Sequence, residues 1–204
     1  MTTNIVTIYQ DPTNCLTKKA TKIPLTKEGL KLAREIGDKL MQTVMPLMPA
    51  AGLAAPQIGI SRQIFLYSFD GSQENIEIVI NPSFEILNQD TNWFWEGCFS
   101  AMQNDGISEL ANVERFNKIL VSYNDFEGKT LKKILEGYTA RIFQHEYDHL
   151  QGIVAVNKSD SEVKAFDNRE ELLAFLKNFK ETSNIKIERI APKDANLVEL
   201  SASL

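Results

Sequence analysis

The sequence predicts a single α+β domain in which mixed, mostly antiparallel sheets pack around a central helix, with a further helix near the C-terminus. Runs rich in β-branched and aromatic residues fall between residues 63 and 135, and such runs are typical of strands. Stretches with apolar residues every three or four positions lie before and after them, which is typical of helices. The turn-forming segment 124–128 separates two strand-like runs, as in an antiparallel hairpin.

The composition suits one globular domain and argues against several classes of partner. The 204 residues are 43% hydrophobic and carry a net charge of -5, so we expect a full core and no basic surface for nucleic acid or anionic lipid. No apolar stretch is long enough to span a bilayer, and the N-terminus lacks the pattern of a secretory signal. We therefore expect a cytoplasmic protein without a membrane partner. Its cysteines, Cys15 and Cys98, are expected to be reduced.

The domain is expected to cover residues 1–183, followed by a tail at 184–204, because we find no internal repeat or linker. Its first helix should begin after Thr26, a typical N-cap residue, and end near Leu47 at two prolines. The small apolar segment 50–57 follows and would let a backbone approach another backbone or a ligand closely. A tightly packed connection would explain this segment as well.

The middle of the chain is predicted to be mainly β structure. The expected strands are 63–69, 76–80, 83–87, 118–123 and 130–135. The aromatic cluster Trp93-Phe94-Trp95 should pack against other residues, whereas the polar residues 102–112 are expected to form a loop. Further helices are expected at 138–150 and about 161–181, with a short strand at 184–190 in the tail.

Both histidines of the chain lie on the second of these helices, in the segment His145-Glu146-Tyr147-Asp148-His149. Residues four apart share one helix face, so both imidazoles can bind the same metal ion. Glu146 would then lie beside the ion, where it can take a proton from metal-bound water, which is the H-E-x-x-H arrangement. The alternative is two exposed histidines that flank a glutamate by chance.

A catalytic metal site commonly has three protein ligands and one open position. Cys98 is the best candidate for the third ligand, because nothing else explains the segment Glu96-Gly97-Cys98-Phe99-Ser100. Cys15 has no other ligand type nearby and is interpreted as structural. The competing candidates are glutamates further along the chain, as in zinc metallopeptidases that take a ligand from a later helix: Glu162, Glu170 and Glu171.

Three segments together resemble the three signatures of the peptide deformylases: Gly52-Leu53-Ala54-Ala55-Pro56-Gln57, Glu96-Gly97-Cys98-Phe99-Ser100 and His145-Glu146-Tyr147-Asp148-His149. Their order and spacing also agree, and the similarity spans about residues 5–160. The resemblance implies that Cys98, His145 and His149 hold one divalent metal ion. It implies Fe(II) in the cell, with Zn, Ni or Co as substitutes.

The resemblance also implies an activity, the removal of the formyl group from N-formylmethionyl peptides of nascent proteins with release of formate. Glu146 would act as general base and then as general acid toward the leaving amine. The Gln57 amide and the backbone N–H of Phe99 would stabilise the oxyanion, and the Gly52 backbone would pair with the extended peptide. The residues expected to bind the substrate are Gly52, Leu53, Tyr138, Arg141 and Ile142.

The chain departs from the family pattern at several positions. Ala50 and Phe99 replace a glycine and a leucine, and the loop after Ser100 looks longer and has no clear counterpart of the family's substrate-binding arginine. Arg141 lies on a helix face that is mostly apolar in the family. We expect its guanidinium to narrow or polarise the methionine pocket, or alternatively to extend to solvent. Asp148 is expected to pair with Arg115 and fix the helix.

Two other functions stay open at this point. An H-E-x-x-H metallopeptidase would use a downstream glutamate as its third ligand, and a deformylase-like protein could keep its metal but bind another ligand or partner. The family also implies a transient ribosome contact through the C-terminal helix. The basic residues expected there are Lys164, Lys177 and Lys180.

Overall fold

The computed structural model describes residues 5–102, 108–182 and 187–195. Its helices are α1 (Lys27–Val44), α2 (Gly137–Leu150) and α3 (Arg169–Thr182). Its strands are β1 (Gly52–Ala54), β2 (Ile64–Ser68), β3 (Ile76–Ile86), β4 (Thr91–Met102), β5 (Ser108–Phe116), β6 (Lys118–Asn124), β7 (Thr130–Glu136), β8 (Glu162–Phe166) and β9 (Lys193–Asp194). None of the helices in these ranges combines the length and the apolar composition that a membrane span requires.

The strands form two antiparallel sheets, one with the order β1-β2-β3-β6-β7-β9 and one with the order β4-β5-β8. Strands β6 and β7 pair from Lys118↔Glu136 to Asn124↔Thr130, which confirms the predicted hairpin. Strand β1 ends the larger sheet and β4 ends the smaller one. The predicted α+β class with mostly antiparallel sheets is therefore confirmed.

Helix α1 covers one face of the larger sheet. Thr26 is its N-cap, as predicted, because its hydroxyl accepts a hydrogen bond of 3.2 Å from the Gly29 N–H. Its apolar stripe is buried, and it packs against Leu53 of β1 and Ile64 and Leu66 of β2. Side chains alternate along a strand, so the intervening residues of β2 face the other side of the sheet.

Helix α2 occupies that other side and lies between the two sheets. Phe143 packs edge-to-face against Phe65 and Tyr67 of β2, with ring centroids 5.1 and 5.9 Å apart. The Gln144 side-chain amide donates to the Phe116 carbonyl at 2.9 Å and accepts from the Phe116 N–H at 3.2 Å. The predicted central helix is thus anchored to both sheets.

Two predicted strands, 76–80 and 83–87, are one strand, β3. The register shifts between Ile80 and Ser83, where Asn81 has a positive φ of 50° and Pro82 lacks an N–H for the ladder. The Asn81 side chain compensates by donating to and accepting from the backbone of Ile23, both at 2.8 Å. The strand therefore continues past a sequence signal that would ordinarily end it.

The predicted loop at 102–112 is wrong at Met102, which ends β4, and over 108–112, which begins β5; residues 103–107 lie outside the described ranges. This strand was not predicted because several of its residues are polar. It pairs with β4 on one side and β8 on the other. In the cluster 93–95, Phe94 is buried but Trp93 is exposed, since neighbouring side chains of β4 point to opposite faces.

The predicted helix at 161–181 is wrong at its start, because 162–166 form strand β8. Val163 and Phe166 thus belong to a strand, and α3 begins only at Arg169. Asn168 accepts from the Glu171 N–H at 2.9 Å, which is the geometry of an N-cap. The spacing of apolar residues in the sequence did not distinguish strand β8 from helix α3, because the two segments are adjacent.

Part of the predicted tail returns to the domain. The Tyr138 N–H donates to the Glu188 carbonyl at 3.3 Å, the Thr139 hydroxyl donates to the Ile190 carbonyl at 2.6 Å, and β9 pairs with β7. Residues 184–186 of the predicted strand 184–190 lie outside the described part of the chain. In the rest of it only a bridge between Gly137 and Arg189 forms. The boundary at 183 stays a prediction.

Candidate metal and catalytic site

Cys98, His145 and His149 come together and could hold a metal ion. Their ligand atoms lie within 4.8 Å of one another, and Cys98 Sγ is 3.3 Å from His149 Nε2. The two histidines are one turn apart on α2, whereas Cys98 comes from β4, so the site forms where the helix meets the smaller sheet. One thiol and two imidazoles are a ligand set that suits Zn²⁺ or Fe(II).

A buried atom beside this group also fits a bound metal centre. Glu146 is 4% exposed, and its Oε2 has no hydrogen-bond partner among the residues that the structure describes. Such an atom is costly to bury unless a further group binds it. The site residues therefore fit a divalent ion.

The downstream glutamates do not join the group. Glu162 lies on β8, Glu170 and Glu171 lie on α3, and all three are exposed. In the described part of the chain, the only cluster of histidine, cysteine or acidic side chains suited to a metal ion is Cys98, His145 and His149. The geometry therefore does not favour a metallopeptidase that takes its third ligand from a later helix.

Glu96 positions other side chains of the site by accepting hydrogen bonds from them, a role that the sequence did not reveal. It accepts from His145 Nδ1 at 2.9 Å, from Arg115 Nε and Nη2 at 2.7 and 2.8 Å, and from Arg141 Nη1 at 2.6 Å. Because Nδ1 of His145 donates to this carboxylate, its Nε2 is the nitrogen available to a metal. The only signal for this role in the sequence was that the carboxylate of Glu96 lies close to the candidate ligand Cys98.

The electrostatics of the site separate its two histidines. Burial opposes the charge of His145, but hydrogen bonds with Cys98 and Glu96 outweigh it and raise the pKa well above its ordinary value. Burial, together with the charges of His145 and Arg115, lowers the pKa of His149 well below its ordinary value. Although Glu96 is buried, Arg115 and His145 hold the pKa of its carboxyl well below its usual range. Glu96 is therefore a fixed anion behind His145.

Burial raises the pKa of Glu146 to about 7, against the opposing charges of His145 and Arg115. A carboxyl group with such a pKa can exchange a proton near neutral pH. A bound divalent cation would lower this pKa, since it adds a large positive charge nearby. Glu146 is therefore suited to proton transfer.

Asp148 pairs with Arg115, as predicted. Its Oδ2 accepts from Arg115 Nη1 at 2.8 Å and from Lys158 Nζ at 3.1 Å. Arg115 thereby joins Asp148 of α2 to Glu96 of β4, two elements that also carry the ligand candidates. This pairing holds α2 and β4 in a fixed relation.

Gln57 lies beside the sulfur of Cys98. Its Oε1 accepts from the Ala54 N–H at 2.8 Å, while its Nε2 is 3.6 Å from Cys98 Sγ and 3.3 Å from Ser100 Oγ. The bond to Ala54 sets the orientation of the amide, so the N–H groups face the metal site. Cys15, by contrast, is buried elsewhere and does not belong to the ligand group.

A cavity of about 1060 Å³ opens beside these residues. Four of the five predicted substrate-binding residues line it, namely Gly52, Tyr138, Arg141 and Ile142. Leu53 does not, because its side chain is fully buried in the core under α1.

Arg141 lines the cavity, but its guanidinium is bound by acceptors on β4 and β5. The guanidinium donates to Glu96 at 2.6 Å, to the Val113 carbonyl at 2.9 Å, and to the Asn92 backbone carbonyl at 2.7 Å and its side chain. It is 4% exposed, so it does not extend to solvent. The expectation that a free guanidinium polarises the pocket must therefore be revised: Glu96 neutralises the charge.

Replacing Arg141 by leucine is expected to lower the free energy of unfolding by about 2–3 kcal/mol, because buried carbonyls lose their donors while Arg115 still compensates Glu96. Arg34→Leu is the control, since the Arg34–Glu127 pair is exposed and should contribute less than about 1 kcal/mol. Urea denaturation of both variants measures the difference. Equal stability of the two variants would contradict this description of Arg141.

Comparison with known proteins places these residues in a family. Residues 5–165 match the family model described as polypeptide deformylase. A peptide deformylase of Thermotoga petrophila is 33% identical over 153 residues, which are 75% of this chain and 85% of the relative. A peptide deformylase 2 of Rickettsia conorii is 34% identical over 200 residues, 91% of this chain and 94% of the relative.

Solved structures show the same similarity. The crystal structure of peptide deformylase from Thermotoga maritima has a TM-score of 0.63 and 32% sequence identity, and the match covers 76% of this chain and 95% of that one. A peptide deformylase structure from Plasmodium falciparum has a TM-score of 0.63 at 26% identity, with coverage of 88% and 97%. The match thus extends over most of the described fold.

Proposed function

Because this chain belongs to the polypeptide deformylase family, we propose that its deformylase activity resides at Cys98, His145, His149 and Glu146. The chain is a peptide deformylase, a metal-dependent hydrolase that acts on formylated peptides and releases formate. The observation that carries the site assignment is the set of three ligand atoms within 4.8 Å of one another, with Glu146 beside them at the wall of an open cavity.

Cys98, His145 and His149 are the proposed ligands of one divalent ion. When bound, such an ion supplies a Lewis acid that lowers the pKa of water and polarises a carbonyl group. We propose Fe(II) as the ion in the cell, with Zn, Ni or Co as substitutes, since a mixed thiol and imidazole set is compatible with all of them. We also propose a cytoplasmic location, where nascent formylated chains are made.

Glu146 is the proposed general base. Its buried carboxylate has one oxygen without a partner among the described residues, and a bound divalent cation would favour its ionised, proton-accepting form. It can therefore take a proton from the attacking water and pass it to the amine that leaves as the C–N bond of the formamide breaks. Formate and a free N-terminal amine are the products.

Gln57 and Phe99 are the proposed donors to the oxyanion that forms at the formyl carbon. The Gln57 amide is held by the Ala54 N–H, so its Nε2 need not reorient during the reaction. Phe99 lines the same cavity and would contribute its backbone N–H. Phe99 stands where the family usually has a leucine, and this difference in side chain leaves the backbone N–H unchanged.

The peptide is proposed to bind along β1. This strand lies at the edge of its sheet, and Gly52 lines the cavity, so an extended peptide can add to the edge by backbone hydrogen bonds. Tyr138, Ile142 and the apolar part of Arg141 line the same cavity from α2. We propose that these three residues form the pocket for the methionine side chain.

Gly52→Ala is expected to lower kcat/KM by about 100-fold, a loss typical of a catalytic group displaced by about 1 Å. A Cβ at position 52 would lie 2.5 Å from Glu146 Oε1 and 2.7 Å from its Cδ, so the carboxylate must move. Metal content should stay at the wild-type level because no proposed ligand is touched. Kinetics and metal analysis check both expectations, and unchanged activity would contradict the proposed position of Glu146.

The substrate panel that tests the function contains formyl-Met-Ala-Ser, acetyl-Met-Ala-Ser and unblocked Met-Ala-Ser. We expect formate from the first and no peptide-bond cleavage in any of them. Cleavage of the unblocked peptide would instead indicate a metallopeptidase. Stoichiometric metal without turnover would indicate a deformylase-like binding protein.

A ribosome contact through α3 is also proposed, on the basis of the family resemblance. All three lysines expected to make it are exposed, but Lys164 lies on β8 over the Phe175 ring at 4.7 Å and Lys180 lines the cavity. Lys177 is therefore the basic residue on which we base this proposal.

A further inference from the structure

Helix α3 forms part of the wall of the catalytic cavity, although it lies beyond residue 165, where the family match ends. Residues at spacings of three and four share one helix face. The α3 residues that line the cavity have this spacing: Arg169, Leu172, Leu173, Leu176, Phe179 and Lys180. One complete face of α3 thus faces the same space as Cys98 and Glu146.

Aromatic contacts hold α3 against the strand that carries Cys98. Phe179 packs on Phe94 with ring centroids 5.3 Å apart, and Phe175 packs on Trp95 at 5.2 Å. Phe175 also contacts Phe166 of β8 at 5.2 Å. These contacts fix the position of the cavity-lining face of α3 relative to the metal site, because Phe94 and Trp95 lie only a few residues before Cys98.

The middle of this face is apolar and incompletely covered. Leu173 is 52% exposed, while Leu172 and Leu176 are half-buried. An exposed leucine on a cavity wall gains from contact with an apolar ligand group. A cavity of about 1060 Å³ is also large enough for a ligand of several residues rather than one side chain.

We propose that Leu172, Leu173 and Leu176 contact the substrate side chains that follow the formylmethionine and select peptides in which those side chains are apolar. This inference rests on the proposed function, since it assigns a further part of the same site. The methionine pocket on α2 and the α3 face belong to one continuous cavity. A peptide whose first side chain meets α2 can therefore place its next side chains against α3.

The test compares wild type with Leu173→Glu and Leu173→Lys on formyl-Met-Leu-Leu, formyl-Met-Lys-Lys and formyl-Met-Glu-Glu. Wild type is expected to prefer the leucine peptide. Both variants should lose at least about tenfold in kcat/KM on that peptide, the lower end of the range for one apolar contact. Leu173→Glu should shift preference toward the lysine peptide and Leu173→Lys toward the glutamate peptide. A purely structural role of Leu173 would not produce opposite shifts.

Leu25→Glu and Leu25→Lys are the matched controls, because Leu25 is 49% exposed and does not line the cavity. They should leave all ratios between substrates at wild-type values. Formate release by wild type with unchanged ratios in both Leu173 variants would overturn this inference alone. No formate release by wild type from any peptide would overturn the proposed function and the inference with it. Circular dichroism confirms that each variant is folded.

Discussion

Glu146→Gln is expected to lower kcat/KM for formate release by about 10²–10⁴-fold, the range that a positioned general acid–base group contributes. Glutamine has almost the same shape as glutamate but cannot accept and return a proton. Glu146 is not one of the three proposed ligands, so the variant should bind metal as wild type does. Steady-state kinetics together with metal analysis separate the two effects.

Glu162→Gln is the control for this variant. Glu162 is exposed on β8, and its replacement should leave activity within about twofold of wild type, as is typical of exposed surface positions. If Glu146→Gln retained full turnover, the proton would have to be transferred by another group. The proposed role of Glu146 would then be wrong.

Cys98→Ser is expected to abolish stoichiometric metal binding, with affinity lowered by more than about 100-fold, since even residues behind the ligands are worth 10–100-fold. A serine hydroxyl is a much poorer ligand than a thiolate at neutral pH. Formate release should fall with the metal content. Metal analysis after gel filtration, followed by activity at rising metal concentration, measures both losses.

Cys15→Ser is the matched control, because Cys15 is also buried but lies outside the ligand group. It should retain one equivalent of metal. If Cys98→Ser kept its metal while Glu170→Gln or Glu171→Gln lost it, a glutamate of α3 would be the third ligand. That result would favour the metallopeptidase geometry over the present one.

The ligand candidates could be predicted because their geometry depends mainly on local spacing. Two histidines four apart share a helix face wherever the helix lies. Cys98 was favoured by its local sequence and by the resemblance, whereas its approach to the histidines depends on the fold, which brings β4 to α2. The pairing of Asp148 with Arg115 was expected on chemical grounds, because a buried carboxylate requires a partner.

The role of Glu96 could not be predicted in the same way. It depends on Arg115 and Arg141, which come from different elements and meet only after the sheets have packed on α2. Arg141 was expected to face the pocket, and its guanidinium instead points at this carboxylate. Sequence spacing gives the helix face of a long side chain but not the direction of its end.

The spacing of apolar residues also did not reveal that α3 forms a wall of the cavity. The apolar residues of this helix do not by themselves show what covers them, and Leu173 lies exposed on the cavity. The helix begins later than expected because β8 precedes it, and β8 is stabilised by pairing with β5 rather than by its own sequence. A stripe of leucines looks the same whether a core or a ligand covers it.

The measurement that tests the central claim most directly is an anaerobic titration of metal-free protein with Fe(II), followed by formate release from formyl-Met-Ala-Ser. We predict that activity rises linearly and reaches a plateau at one equivalent of Fe(II) per chain, with one formate formed for each free amine. A plateau at one equivalent of bound Fe(II) without formate release would contradict the assignment of deformylase chemistry to Cys98, His145, His149 and Glu146.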